Sequence, residues 1–432
     1  MTREAADMAV RTEETGTEIQ DTQSRPAGGA AALWGIAILG FLALAVSFSA
    51  RAAFSLAMPI WSKEGWPIAF TSEIGAAALI VMAAVAPLAG NLLDRRGPRQ
   101  ILVTGLLIVG AGMTVIACAR QSWLLLPGFS LISAVGFGLV AQHVVATAIA
   151  QETSSKRGLA TGLATSGSTA GQLLLVPGLA WLMQSQDWRH GFLALAVGAA
   201  LLAIVALIFL RRGARRSAVT RQDGETFKQR FVALLKQPVF HALYWSFVIC
   251  GFTTTGAIET HLLPYAALCG LPPLPSAATY GLLSGVNLLG MILVGWMTDR
   301  LNRPLLLGSI YILRGFCFLL LMRTGGDLAW LTVFAVAFGL VDYATVPVTA
   351  SLVASHLGLR IMGLAMGLIA AGHALGGAAG AFWGGWVTGA YGNYDLLWES
   401  SLGLALLAGV IVLLLPGKAN SSHAADAPAT AG

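Results

Sequence analysis

The sequence predicts an all-α membrane protein with twelve transmembrane helices in two six-helix, pseudo-symmetric halves. Three observations carry this reading. The 432 residues are 56% hydrophobic and only 11% charged, whereas soluble domains carry about 25% charged residues. Twelve apolar runs follow one another with short polar turns between them, each near the length of about 20 residues that a spanning helix needs. An acid–base loop, Gly90-Asn91-Leu92-Leu93-Asp94-Arg95-Arg96-Gly97-Pro98-Arg99, returns 205 residues later as Gly295-Trp296-Met297-Thr298-Asp299-Arg300-Leu301-Asn302-Arg303-Pro304.

A chain with so few charges cannot cover a water-facing surface, so its apolar faces must meet lipid. One or two such runs could be buried helices of a soluble protein; twelve in series could not. Only helices or closed barrels satisfy the backbone in lipid. Barrel strands alternate over about 10 residues, and these runs are continuous. The first half, 33–210, holds runs at 33–60, 70–93, 100–118, 124–150, 158–183 and 190–210. The second, 239–416, holds runs at 239–268, 276–298, 305–322, 328–354, 360–388 and 396–415.

Residues 1–32 are polar, with Glu13, Glu14, Glu18 and Asp21, and are expected to form a disordered cytoplasmic segment because they hold too little apolar surface to fold. The tail 417–432 reads the same way. No short apolar stretch with a basic flank reads as a cleaved signal. Residues 211–238 form a basic cytoplasmic linker, in which 224–237 are expected to make an amphipathic helix along the inner membrane surface.

Charge placement sets the orientation. With the first helix starting inside, the interior loops hold 16 of the 26 basic residues, against Lys63, Arg120, Arg189 and Arg323 outside. Basic loops stay in the cytoplasm. The expectation is a multi-pass protein of the inner (plasma) membrane with both termini cytoplasmic, and no nucleic-acid partner. The four cysteines show neither paired nor metal spacing, so no disulfide framework and no metal site are expected. There is no Gly-x-x-x-x-Gly-Lys-[Ser/Thr] loop, so ATP is not the direct energy source. No cofactor is implied, and the chain is expected to act as a monomer.

The 205-residue offset extends past the acid–base loop. Gly162, Gly167, Gly171 and Trp181 of the fifth helix map onto Gly367, Gly372, Gly376 and Trp386 of the eleventh. Parallel six-helix halves are one known transporter plan. Gly167–Gly171 and Gly372–Gly376 each give a small-residue face that lets backbones approach closely. These faces are expected either to pack statically or to be the surface on which the halves rock.

With two acid–base loops, twelve helices and a basic linker, the chain over roughly 33–415 resembles the major facilitator superfamily. Trp66-Pro67-Ile68, Thr260-His261-Leu262-Leu263-Pro264-Tyr265 and Gly389-Ala390-Tyr391-Gly392-Asn393-Tyr394-Asp395 are similar to its monocarboxylate-carrier and oxalate/formate-antiporter branch. The resemblance implies the major facilitator fold, alternating access, and a role for Asp94 in clamping the start of the eleventh helix and favouring the outward-open state. Carriers of lactate-like anions in that branch have an arginine in the eighth helix. Here Asn287-Leu288-Leu289-Gly290-Met291-Ile292 has no cation, which counts against lactate or pyruvate. The fifth helix lacks the Gly-Pro-rich signature of many drug exporters, which counts against drug efflux.

Charges inside a membrane are costly and mark functional sites. Arg51, two thirds along the first helix, is a candidate to hold a carboxylate through a two-pronged contact. Arg314, Asn287, Gln172 and His261 are further substrate-binding candidates. Asp342 is a plausible partner for Arg314, and with Glu259 a candidate for proton coupling or gating. Glu259 and His261 lie two residues apart, so on a helix they point about 200° apart and are not expected to share one ligand atom. Asp94, Arg95, Arg99, Asp299 and Arg300 are gating candidates: an aspartate beyond one helix can accept backbone N–H groups at the start of another. His143, His373 and Gln142 are minor candidates.

These features together predict a secondary active transporter, not an enzyme. It would move a small organic, carboxylate-type anion by alternating access with protons as coupling partner. Export of a drug or hydrophobic metabolite is the alternative within transport. A membrane enzyme or sensor would need a nucleophile–base set, metal ligands or a soluble sensory domain, and the sequence offers none of these.

Overall fold

The computed structural model describes residues 28–66, 68–152, 156–210 and 226–416. The terminal segments, and the linker up to residue 225, lie outside the described residues. The described chain is helical throughout, in twelve rods. The first six are Gly28–Lys63, Ile68–Arg96, Pro98–Ala117, Ser122–Glu152, Arg157–Thr165 with Gly167–Ser185, and Trp188–Phe209. The second six are Pro238–Leu268, Pro273–Thr298, Arg303–Met322, Leu328–His356, Met362–Tyr391 and Asp395–Leu413. A short linker helix, Phe227–Leu235, precedes the seventh rod and meets it at 86°.

Ten helices among the described residues are long and apolar enough to span a membrane, or eleven with that bent pair. The fifth rod falls short because it is broken at Ser166 and because Gly167-Ser168-Thr169-Ala170-Gly171-Gln172 is small and polar. Rod ends follow local chemistry. Gly97, at φ 80°, turns the chain so that Pro98 opens the third helix, a position where proline's missing N–H costs nothing. The second acid–base loop has no glycine there. Asn302 does the work instead, its side chain accepting from the Leu305 N–H at 3.1 Å.

Each half packs around its own core. In the first, the third helix lies on the sixth and the first on the fifth; in the second, the ninth lies on the twelfth and the seventh on the eleventh. The fourth and tenth rods break at corresponding places, near Val140 and at Asp342–Ala344, and the seventh runs through a π-helical stretch, Phe252–Glu259. Breaks of this kind survive at membrane depth only where side chains re-satisfy the freed backbone.

The halves meet at the end that carries the acid–base loops. The second helix packs on the eleventh, the eighth on the fifth, and the loop-end parts of the fourth, fifth and tenth helices complete the contact. No comparable packing joins the first and seventh helices among the described residues. The molecule is therefore closed at the loop end and parts toward the other.

Closure rests on main chain against main chain. A Cβ on Gly90 would fall on the carbonyl of Gly363, and one on Gly363 would fall on the carbonyl of Gly90. The second seam repeats the contact 205 residues away: Gly295 faces the Gly158 carbonyl, and Gly158 the Gly295 carbonyl. One turn on, Gly367 abuts Ala86 and Gly162 abuts Met291, again an offset pair.

The other small-residue faces pack inside the halves and not between them. Gly167 and Gly171 pack on Phe41 and Ala45 of the first helix, and Gly372 and Gly376 on Tyr244 and Val248 of the seventh. They glue each half internally. Gly162 and Gly167 are five residues apart, about 140° around a helix, so one rod offers one glycine face to its own half and another to the opposite half.

A valine at Gly90 should hold the loop end apart without preventing insertion, since its side chain has no space against the Gly363 main chain. Spin labels on the loop ends of the second and eleventh helices should report a longer distance in Gly90→Val than in the wild type. Equal distances would show that this contact does not set closure.

Candidate functional site

The loop-end seams are closed by carboxylates. Asp94, at the end of the second helix, accepts the N–H groups of Gly363 at 2.9 Å and Leu364 at 3.2 Å, the first residues of the eleventh helix. Asp299 accepts those of Gly158 at 2.7 Å and Leu159 at 3.0 Å, which open the fifth. Both acceptor and donors are shifted by 205 residues, so the two seams are one contact used twice. An anion at a helix start is worth about 0.3–1 kcal/mol when exposed and up to about 2 kcal/mol when partly buried. The Asp94 side chain is 2% exposed. Gln151 donates to Asp94 Oδ1 at 2.9 Å, and Arg230 of the linker helix donates to Oδ2 at 3.2 Å.

The three loop arginines named as gating candidates are placed differently. Arg99 donates to the Leu207 carbonyl at 2.7 Å, near the end of the sixth helix, where carbonyls lack intrahelical partners. Arg300 stacks over Trp296 at 4.1 Å and donates to its carbonyl. Arg95 is exposed at the loop end. Arg99 and Arg300 thus brace their own halves and are not brought to the seams.

A second cluster lies deep between the halves. Arg51 is half-buried on the first helix, its guanidinium 3.6 Å over the ring of Phe48 one turn earlier. Its Nε is buried with no hydrogen-bond partner. The groups that act on it electrostatically, Glu259 and Tyr343, come from the opposite half. Glu259 closes the π-helical stretch, is exposed, and accepts the Tyr343 hydroxyl at 2.5 Å. Tyr280 lies within electrostatic reach of Glu259 and Asp342.

Behind this front a buried chain of bonds fixes the broken tenth helix. The Tyr343 N–H donates to Asn287 Oδ1 at 3.2 Å, and Asn287 Nδ2 donates to Asp342 Oδ2 at 3.3 Å. Asp342 Oδ1 is buried and unpartnered. Arg314 is fully buried; it donates to the Val341 carbonyl at 2.8 Å, to the Asp342 carbonyl, and to Cys250 Sγ at 2.8 Å. It thereby satisfies carbonyls that the break leaves without helical donors.

Arg51, Glu259, Asn287 and Asp342, named singly from the sequence, are brought together through Tyr343. Arg314 and His261, both expected at the substrate, are not. Arg314 is committed to the tenth-helix break, and it meets Asp342 through the backbone carbonyl. His261 Nε2 lies 2.9 Å from the Ala381 carbonyl, with its ring 5.4 Å from that of Tyr394. It and Glu259 contact different elements. Gln172 is exposed on the fifth helix. Gln142 donates to Ser168 at 2.7 Å, and His143 is buried with Nε2 unpartnered.

Sequence reasoning missed Tyr343, Tyr280 and the side chains around the Asp94 contact, namely Gln151, Arg230 and Asn91. Tyr343 follows Asp342 directly, and an uncharged residue in an apolar run carries no warning. Asn91 stands one turn before Asp94, and that spacing was a signal. Arg230 was hidden among the basic residues of the linker.

Comparison with known proteins agrees with this architecture. The family model of the Major Facilitator Superfamily matches residues 40–381. Monocarboxylate transporter 13 of Rattus norvegicus is 26% identical over 88% of this chain and 88% of its own length. Monocarboxylate transporter 11 of Homo sapiens is 26% identical over 91% of this chain and 85% of its own length. The solved structure of the proton:xylose symporter XylE superposes with a TM-score of 0.67 at 16% identity, covering 90% of this chain and 98% of that one. The repeated seam, the inter-half cluster and the family match together show that the chain belongs to the major facilitator superfamily, as a multi-pass membrane transporter whose sequence likeness runs to the monocarboxylate-transporter branch.

Proposed function

We propose that this protein is a secondary active transporter that moves a small organic anion of the carboxylate class, together with protons, by alternating access. The observation that carries the reading is Arg51. It is a cation deep between the halves, with a buried Nε that no protein group satisfies, facing Glu259 and Tyr343 of the opposite half. A guanidinium fork matches a carboxylate with two parallel bonds. The names of the curated relatives, monocarboxylate transporters 11 and 13, support the same substrate class.

The coupling follows from competition. Ionised Glu259 is an internal carboxylate that attracts Arg51 and accepts the Tyr343 hydroxyl. A substrate carboxylate wants the same cation and the same donor. Protonation of Glu259 removes its charge and leaves Arg51 and Tyr343 to the substrate, so proton and anion load together. Release of both restores the internal contact. Asn287 and Asp342 position Tyr343, and Arg314 holds the broken tenth helix that carries it; Arg314 is thus a positioning residue in this scheme. Gln172 and His261 stand outside it.

Among the described residues the loop end carries most of the basic ones, and the positive-inside rule supports a cytoplasmic loop end, with both termini on that side of the inner (plasma) membrane. The described conformation is then the outward-facing one, and Asp94 and Asp299 are the contacts that hold it.

Purified protein in vesicles, given an inward proton gradient and a panel of labelled small carboxylates, should accumulate at least one of them. Failure with every carboxylate under every gradient would remove the substrate class. Arg51→Lys keeps the charge but loses the fork; apparent affinity for the transported anion should weaken by roughly tenfold, on the scale of a charge-assisted bond. Unchanged affinity would place the anion elsewhere. Glu259→Gln should abolish gradient-driven accumulation while exchange of labelled for unlabelled substrate continues. Accumulation at the wild-type rate would exclude Glu259 as the proton carrier.

A further inference from the structure

The two seams are equivalent in the carboxylate–helix and glycine contacts and unequal in the side chains around them. Arg230 makes the difference. It belongs to the linker helix Phe227–Leu235, whose start is fixed by a capping box: Thr226 Oγ accepts from the Gln229 N–H and Gln229 Oε1 accepts from the Thr226 N–H. This helix is anchored to the second half. Leu234 is fully buried in that half's core, and His241 Nε2 sits 2.7 Å from the Leu235 carbonyl.

From that anchor Arg230, only 7% exposed, reaches across the seam. One arm donates to Asn91 Oδ1 at 2.7 Å. The other donates to Asp94 Oδ2 at 3.2 Å and to the Arg360 carbonyl, just ahead of the eleventh helix. One guanidinium thus holds the second helix of the first half and the entry to the eleventh helix of the second. Gln151 adds a further bond to Asp94.

The matching positions at the other seam cannot reproduce this. The residue 205 places after Asn91 is Trp296, which offers no side-chain acceptor, and 205 places after Gln151 stands His356, bonded to Leu352 and Pro416 carbonyls. No residue of the linker helix reaches Asp299 among the described contacts. Arg157, within electrostatic reach of Asp299, belongs to the fifth helix itself.

We propose that the linker helix is a latch on one of the two seams. Arg230 must leave Asp94 and Asn91 before the second and eleventh helices separate, so the loop end opens in sequence. The Asp299 seam yields first and the Asp94 seam last, and the latch biases the resting protein toward the loop-closed state. This rests on the alternating-access reading above, but it is a statement about which contact holds the closed form and is tested without substrate.

The test uses the full chain in lipid nanodiscs with paired spin labels. One pair spans the Asp94 seam, one spans the Asp299 seam, and one lies across the far end. Arg230→Gln should raise the loop-open fraction at the Asp94 seam by roughly tenfold, the scale of a lost bond to a charged group. The Asp299 seam should follow only in the molecules that open. Asn91→Ala, which leaves Asp94 and the linker charge in place, should shift the same distance in the same direction by less. Arg230→Lys should fall between the wild type and Arg230→Gln, because an ammonium cannot serve three acceptors in a fork. Wild-type distributions in Arg230→Gln and Asn91→Ala would overturn the latch. Equal loosening of both seams, with a matching loss of thermal stability, would also overturn it, by showing general packing. A wild-type protein that transports no carboxylate yet shows the seam-specific shift would refute the substrate reading and leave the latch standing.

Discussion

A carboxylate on the start of a helix in the opposite half is the contact on which this molecule turns. It has two properties a carrier needs. It is strong enough to hold two six-helix bodies together, because the buried Asp94 meets both backbone N–H groups and the positive end of a dipole. It is also breakable, since the N–H groups are free at any helix start and accept water once the seam parts. A hydrophobic seam would offer no such exchange inside lipid, where apolar association carries little driving force. The glycines beside each aspartate let the carboxylate come within bonding distance at all.

The central cluster uses the same economy on the other side of the pivot. Buried charge is tolerated in three ways here, and each has a distinct chemical outcome. Arg314 commits both terminal nitrogens to carbonyls and sulfur and leaves only its Nε without a partner, so its fork is spent on the scaffold. Asp342 is half-satisfied by Asn287. Arg51 rests on an aromatic ring, with its Nε unsatisfied. Both arginines leave Nε without a partner, so it is the engagement of the terminal nitrogens, given to protein groups in Arg314, that separates the scaffold charge from the one able to bind a ligand.

Much of this was legible in the residues. Apolar run length is a local property, so the rods appear with ends near those expected. The acid–base loop and its copy are local too, and the constant offset carried the twofold relation into the contacts themselves: Asp94 with Gly363 and Asp299 with Gly158. What was not legible depends on how a helix is rotated or where it breaks. The stripe at Gly167 and Gly171 leaves static packing and a moving surface both open from sequence; it packs within its own half, and the faces that meet the other half are at Gly158 and Gly162. Arg314 reads as a candidate ligand because its partners are main-chain carbonyls, which no side-chain pattern announces. The non-helical backbone at Asp342–Ala344 interrupts an apolar run that gives no local sign of it, and Tyr343, which bonds Glu259, lies in that break.

The seam glycines have a consequence for how this protein tolerates change. Most interfaces can be tuned by mutation, since a side chain may be trimmed, lengthened or recharged. Where one carbonyl lies against another residue's α-carbon, as at Gly90 and Gly363, the genetic code has no smaller amino acid to offer. Every single-codon step there adds bulk, and a compensating step on the facing strand of backbone does not exist. Drift at these positions runs in one direction only, toward a carrier that cannot shut.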